Sequence, residues 1–274
     1  MRDTSKAIPG LDEKSGNFER VQANLNQTDS VAAAVKSSGA TRAFVYLAHG
    51  LPDHMKSTFN AMKSAGITFV VFLSSFTIAM SGPEPVDVQA SEIIAYSHAQ
   101  AELSLREVFG EDNYAAGRPG SFATNSLRYK AGIAASEVKL LGKDFPADGV
   151  TPDDMGEVSG TILALGPKNG QRVVYLYGPD LLTQGSTVQV AGRVLGKAVK
   201  LASQEPEEAL EQMTQTFGSK PLAEYLVRMN TERSYVGARF PHYDEGVENV
   251  QLYTGRPAMK FEDWVESNQE LFSM

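Results

Sequence analysis

The stretch TFVVFLSS, residues 68–75, decides the fold. Apolar residues run unbroken from Phe69 to Leu73 and end in two serines. A strand that is apolar at every position, without alternation, is covered on both faces. Such strands lie inside parallel sheets flanked by helices, and their carboxyl ends open onto a ligand crevice. AFVYLAHG (43–50) has the same character and ends in glycine. Between the two, LPDHMKSTFNAMKSAG (51–66) sets Met55, Phe59 and Met62 on one helical stripe and stops at Gly66.

Working outward, RVQANL (20–25) reads as a short strand ending at Asn26. Thr28 and Asp29 are cap candidates for a helix over SVAAAVKSSG (30–39), which stops at Gly39. Downstream, SGPEPVDV (81–88) reads as a loop and residues 89–109 as a long helix carrying Ile93, Ile94, Leu103, Leu105 and Val108. YAAGRPGSF (114–122) follows as a strand and turn. This rhythm of strand and helix predicts right-handed crossovers, hence an α/β fold with a doubly wound, Rossmann-like parallel sheet.

The C-terminal part is less regular. VTPDDMGEVSGTILALG (150–166) reads as a helix entered through Thr151-Pro152, RVVYLYGP (172–179) as a strand and LTQGSTVQVAGRVLG (182–196) as a helix. KAVKLAS (197–203) reads as a strand, residues 205–229 as a helical pair and FEDWVESNQELF (261–272) as a last short helix. These elements predict a small C-terminal α/β lobe laid over the sheet.

Composition bounds the rest. A chain of 274 residues, 42% hydrophobic and 21% charged, can bury one substantial core. The net charge of −8 argues against nucleic-acid binding, which needs clustered Lys and Arg, and fits a protein partner better. With no cysteine, thiolate nucleophiles and Cys-based metal sites are excluded, and no metal site is read from the sequence. No run approaches the roughly 18 apolar residues of a membrane span, and the start is polar. The default reading is a cytoplasmic protein.

Several stretches together resemble the NmrA-like branch of the atypical short-chain dehydrogenase/reductases. VQANLNQTDSVAAAVKSSGATRAFVYL is similar to that family's Asp-Leu, helix, strand segment, and FVVFLSS to its fifth strand. GRPGSFATN (117–125) resembles its Arg-Pro-Gly-x-Phe-x-x-Asn turn, DDMGEVSGTIL its Asp-Ile-Gly helix start, and GRPAMKFEDWVESNQELF its closing helix. The likeness runs from Arg2 to Phe272. In the family, a strand, a Gly-rich turn and a helix precede a second strand that often ends in a pair like Arg2-Asp3. No G-x-G-x-x-G occurs in this sequence, so the resemblance implies a family member N-terminally truncated by that unit of about 30 residues.

Several expectations follow from the resemblance. Residues 1–150 would form the NAD(P)-binding domain without its first βα unit, and residues 151–274 a smaller substrate lobe interleaved with it. RVQANL would pair directly with AFVYLAH, across the gap left by the first strand. The cofactor would be NADP(H), held weakly because the phosphate loop is absent.

The superfamily's usual Tyr-Lys pair is not found, since Gln100 stands four residues after Tyr96. In the family's alternative, a His with a nearby Lys, His98 is present but Leu103 stands where the Lys would fall. Catalytic candidates are therefore His98, Tyr96 and Ser75. Tyr96 and His98, two apart on a helix, point in different directions, and the resemblance favours His98 toward the crevice.

Cofactor-binding candidates are Arg2, His49, Gly50, Ser74, Ser75 and Pro119. Substrate-binding candidates are Phe76, Phe122 and Asn125. Each has a plainer alternative: the serines as caps, His49 bonded to backbone, Asn125 closing a turn. Arg118 reads as a backbone brace, and Phe261 and Trp264 as core. The function implied is an NADP(H)-dependent oxidoreductase acting on a small organic substrate of the specialised-metabolite kind. The alternative is a non-catalytic NADP(H)-binding redox sensor that acts through protein partners. Neither involves nucleic acid or a membrane.

Overall fold

The computed structural model of the chain describes residues 3–6, 8, 18–231 and 239–273. From the amino end, α1 (Thr28–Ser38) leads to β1 (Arg42–Tyr46), and α2 (Lys56–Ala65) to β2 (Phe69–Leu73). Next, α3 (Thr77–Ser81) and α4 (Ile93–Phe109) lead to β3 (Tyr114–Pro119). Then come α5 (Lys130–Ala134), β4 (Glu137–Leu140), β5 (Pro146–Ala147), α6 (Pro152–Leu165), β6 (Val173–Leu176) and β7 (Leu182–Thr183). The chain closes with α7 (Gln184–Val194), β8 (Lys200–Ser203), α8 (Pro206–Phe217), α9 (Lys220–Thr231), α10 (Tyr243–Thr254) and α11 (Phe261–Ser267).

The main sheet is parallel, in the order β1-β2-β3-β6, with Val45, Phe72, Ala116 and Val173 in one row across it. Val70, Val71 and Phe72 are all buried, because helices cover both faces. On one face, Val31 and Val35 of α1, Phe59 and Met62 of α2 and Leu105 of α4 pack over Val45, Val70 and Phe72. On the other, Val158 and Ile162 of α6 and Val250 of α10 pack over Val71, Ala115 and Val174. The helix stops read from the sequence hold: Gly39 ends α1 in the left-handed region (φ 65), its N–H bonded to the Val35 carbonyl.

RVQANL is a correction. Residues 20–25 form no strand, and among the described residues β1 has no neighbour but β2. Local bonds replace the ladder: the Asn24 N–H donates to Ser30 Oγ, and the Asn26 N–H to Asn24 Oδ1. Asn and Ser side chains compete with sheet pairing in this way. Leu25 instead turns onto the core, its carbonyl accepting from Thr58 Oγ1 at 2.9 Å. Thr28 and Asp29 do not cap α1 but lie in its first turn, after Gln27 at the cap position. The expected helix over 51–66 begins only at Lys56, because His54 and Met55 both take left-handed backbone.

Beyond the main sheet, β4 pairs with β8 in parallel and β5 with β7 antiparallel. Their core gathers Ile133, Leu140, Val188, Phe261 and Trp264, so the last two are packing residues as read. Helix α10, not foreseen from the sequence, returns to the main sheet beside β6. Gly246 lets it approach: a Cβ there would meet Tyr177 Cδ2 at 2.1 Å. Gly246→Ala must push α10 off β6, with an expected loss of about 1–3 kcal/mol. Urea unfolding checks this: the midpoint should fall with the m-value unchanged.

Candidate functional site

The carboxyl ends of β1, β2 and β3 bring together the segments 47–50, 74–76 and 119–122. The chain leaves β1 through His49 and Gly50, both exposed, the latter at φ 83. Ser74 continues β2, its N–H bonded to the Gly117 carbonyl at 2.7 Å, and Phe76 N–H reaches the Pro119 carbonyl at 3.2 Å. These bonds lock the end of β2 to the end of β3.

His98 comes to this edge from α4. Its ring lies 6.1 Å from the Phe72 ring, centroid to centroid. Among the described residues no hydrogen bond reaches either ring nitrogen, and Nδ1 is fully enclosed. Burial, followed by the charges of His49 and Arg118, lowers the imidazole pKa to about 3. His98 is therefore neutral at physiological pH. Placing its proton on Nε2 leaves the enclosed Nδ1 as a bare lone pair, a less costly orphan than a buried N–H. Tyr96 takes another direction and meets His54 edge-on at 5.8 Å.

Beneath the edge lies a buried ionic network that sequence reading missed. Glu102 stands one helical turn beyond His98 on the same face of α4. Its carboxylate accepts from Arg118 Nε at 3.0 Å, from Arg118 Nη2 at 2.7 Å and from Ser74 Oγ at 2.5 Å. Arg118 Nη1 donates to Tyr175 Oη at 3.0 Å. Burial opposes the guanidinium charge, but Glu102 outweighs it and holds Arg118 above its usual pKa. Arg118 thus braces side chains rather than backbone. The Ser74 proton is committed to Glu102, so that hydroxyl can only accept from anything else.

The remaining candidates separate. Ser75 Oγ lies 2.8 Å from Thr77 Oγ1 and accepts the Thr77 N–H, a local turn ahead of α3, whose cap residue is Phe76. Phe76 packs edge-on against Phe240 at 4.9 Å and Tyr177 at 6.1 Å. Tyr175 stacks on the half-exposed His242 at 4.3 Å. Phe122 bridges to Val150 and packs on the β6 side of the core. Asn125 is exposed in a short 3-10 helix, Ala123–Tyr129, rather than closing a turn, and its carbonyl accepts from Arg128 Nε. Arg2 lies outside the described residues.

A second missed group is Asp148, fully buried between the ends of β3 and β6. It accepts the Ser121 N–H at 2.6 Å and the Gly178 N–H at 2.9 Å. Burial pushes its carboxyl up to about 7, against the pull of those two N–H groups. Gly120 leaves room for it, since a Cβ there would meet Asp148 Oδ1 at 2.3 Å. Among the described residues no helix is long and apolar enough to cross a membrane.

No protein-family model matches the chain. It is 31% identical over 286 residues to the nitrogen metabolite regulation-like protein bik4 of Gibberella fujikuroi, spanning 97% of this chain and 86% of the relative. It is 28% identical over 214 residues to the (4-alkanoyl-5-oxo-2,5-dihydrofuran-3-yl)methyl phosphate reductase of Streptomyces griseus, spanning 78% of this chain and 70% of that protein. Its fold matches the Escherichia coli NADPH-dependent quinone oxidoreductase QOR2, solved with NADPH, at a TM-score of 0.68. That likeness covers 92% of this chain and 83% of the oxidoreductase at 17% identity. A parallel sheet covered by helices on both faces, with the carboxyl-edge motifs in order and bik4 alike over nearly the whole length, establishes that the chain belongs to the NmrA-like family.

Proposed function

We propose that the chain is an NADP(H)-dependent oxidoreductase acting on a small organic substrate without a Tyr-Lys dyad. The observation that carries this reading is His98, a neutral imidazole at the sheet's carboxyl edge with an enclosed, unpartnered nitrogen. With Nδ1 enclosed, the atom left to meet a ligand is Nε2, which is not among the enclosed polar atoms and has no hydrogen-bond partner among the described residues. The Streptomyces griseus relative, a (4-alkanoyl-5-oxo-2,5-dihydrofuran-3-yl)methyl phosphate reductase, supports a reductase reading.

The residues fit the nicotinamide end of the cofactor. His49 and Gly50 after β1, the serine pair after β2 and Pro119 at the end of β3 share the carboxyl edge with His98, and in this reading they would hold the nicotinamide ring. NADP(H) supplies a hydride when bound. The chain's own part is positioning and a hydrogen bond: His98 Nε2–H donates to the substrate oxygen as charge builds there. A neutral imidazole can serve this purpose. The substrate would lie between a cofactor domain over 1–150 and a substrate lobe over 151–274, with Phe76 and Phe122, which pack in separate apolar clusters, as its expected apolar contacts.

The test is NADPH oxidation with a panel of quinones, enones and imines. Turnover is expected, and His98→Ala should lower kcat by about 10²-fold. Because His98 is already neutral, kcat should show no limb near pH 6.5; a loss of rate above that pH would mean that the imidazolium is the working form. The absence of a Lys beside Tyr96 or His98 favours one other reading, a redox sensor. NADPH binding without turnover on any substrate, and distinct from NADP binding, would establish that reading instead.

A further inference from the structure

The connection from β1 to α2 holds two consecutive residues in backbone that suits neither. His54 and Met55 sit at φ 50 and φ 68, and the Lys56 N–H closes onto the Asp53 carbonyl at 3.0 Å. That is the geometry of a type I′ turn, which Asn-Gly fills at little cost. A methionine there carries a penalty of roughly tenfold in equilibrium, and a histidine a smaller one. Backbone strained in this way persists only where its surroundings over-determine it, and such strain gathers at ligand clamps and switch regions.

Two contacts supply the hold. Met55 is fully buried, in the same core cluster as Val45, Phe59 and Leu105. Its Sδ accepts the Ala48 N–H at 3.3 Å, which ties the end of the connection to its start. The second contact is the His54 ring, edge-on to Tyr96 of α4. Between the ties, His49, Gly50 and Pro52 are exposed. Burial of one side chain and strain at two residues therefore oppose each other at the carboxyl end of β1.

We infer that the His54–Met55 turn is a sprung gate at the carboxyl edge of the sheet. With Met55 seated, the loop 48–55 is held closed. With Met55 withdrawn, both residues relax and the loop swings out while β1 and α2 stay folded. Opening breaks the Ala48 bond to Met55 together with the turn bonds from His54 N–H to the Leu51 carbonyl and from Lys56 N–H to the Asp53 carbonyl. His49 and Gly50 ride on the loop, so opening clears the β1 side of the edge to which Ser74 and His98 belong. The gate is a property of the chain without ligand and does not depend on NADP(H) being what it admits.

Amide hydrogen exchange on the folded, unliganded chain tests the gate, with His54→Asn and His54→Val beside the parent. Both variants lose the ring contact with Tyr96, but asparagine tolerates left-handed backbone and valine does not. In the parent, the Ala48, His54 and Lys56 amides should exchange together and be at least about tenfold less protected than Val71 and Phe72 of β2. Their protection should be highest in the asparagine variant and lowest in the valine variant, the two differing by about fivefold or more. Loop amides as well protected as those of β2 would mean that the connection opens only when the fold does. Unrelated rates at Ala48, His54 and Lys56 would mean that no single unit moves. Equal protection in the two variants would remove the spring. Each of these results overturns the gate.

Discussion

Glu102→Ala should be among the most damaging single substitutions in the chain. It leaves the Arg118 guanidinium 4% exposed, with the neutral Tyr175 hydroxyl as its remaining side-chain partner. Breaking a buried pair in this way costs about 3–5 kcal/mol, because the uncompensated charge stays in the interior. For a domain of this size that corresponds to a melting temperature lower by on the order of 10 °C. The pair itself need not stabilise the fold. Glu102→Leu combined with Arg118→Met removes both charges and keeps the volume, and should recover most of the loss, less the cost of the orphaned Ser74 and Tyr175 hydroxyls. Calorimetric melting of the single and double variants separates the terms. A single variant melting within a degree or two of the parent would mean that water reaches Arg118 and that the charges are not enclosed.

Burial does most to keep His98 neutral, and the network adds a smaller part. Arg118 is one of the charges that hold the imidazole neutral, and Glu102 holds Arg118 in place. A reading based on one helix saw a histidine and a missing lysine. The folded chain puts a cation nearby after all, delivered from β3 and neutralised by a carboxylate.

The sheet was legible where burial alone dictates sequence. Phe69–Leu73, Arg42–Tyr46 and Tyr114–Pro119 carry their strand character in consecutive residues, and the glycine stops fixed the crossovers between them. Residues 20–25 misled because a short apolar alternation looks like a strand even when Asn24 and Ser30 satisfy its backbone locally. Helix α10 was hidden by Gly246, which reads as a breaker in sequence and is required in space by the Tyr177 ring. Ser74 could be placed at the edge from its strand end, and His98 only through the family resemblance, since helix spacing said no more than that it and Tyr96 diverge. Glu102 could not, since a glutamate in a helix reads as a solvated face. One signal was available: it continues the buried stripe of Ala95, Ala99 and Leu105, where a charge must find a partner. Asp148 had no such signal, because its partners follow strands that become neighbours only through the topology.

Asp148 gives the second large effect, and its sign runs opposite to the usual acid denaturation. Burial raises its carboxyl to about 7 in the folded chain from an ordinary value near 3.8. A raised carboxyl binds its proton more tightly folded than unfolded, so its contribution is fully present below the unfolded pKa and is lost as pH rises through about 7. A shift of this size corresponds to about 4 kcal/mol between the two ends of that window. Other carboxylates work the other way below pH 4, so the quantity to measure is the difference between the parent and Asp148→Asn. The variant cannot ionise, and its amide turns a donor toward either the Ser121 or the Gly178 N–H, so it should be the less stable protein at pH 4. Between about pH 4 and 7.5 the parent should lose that advantage steadily in urea unfolding, as Asp148 ionises against its surroundings. An advantage that grows with pH would show the two amide bonds outweighing burial, with the carboxylate, not the acid, fastening β3 to β6.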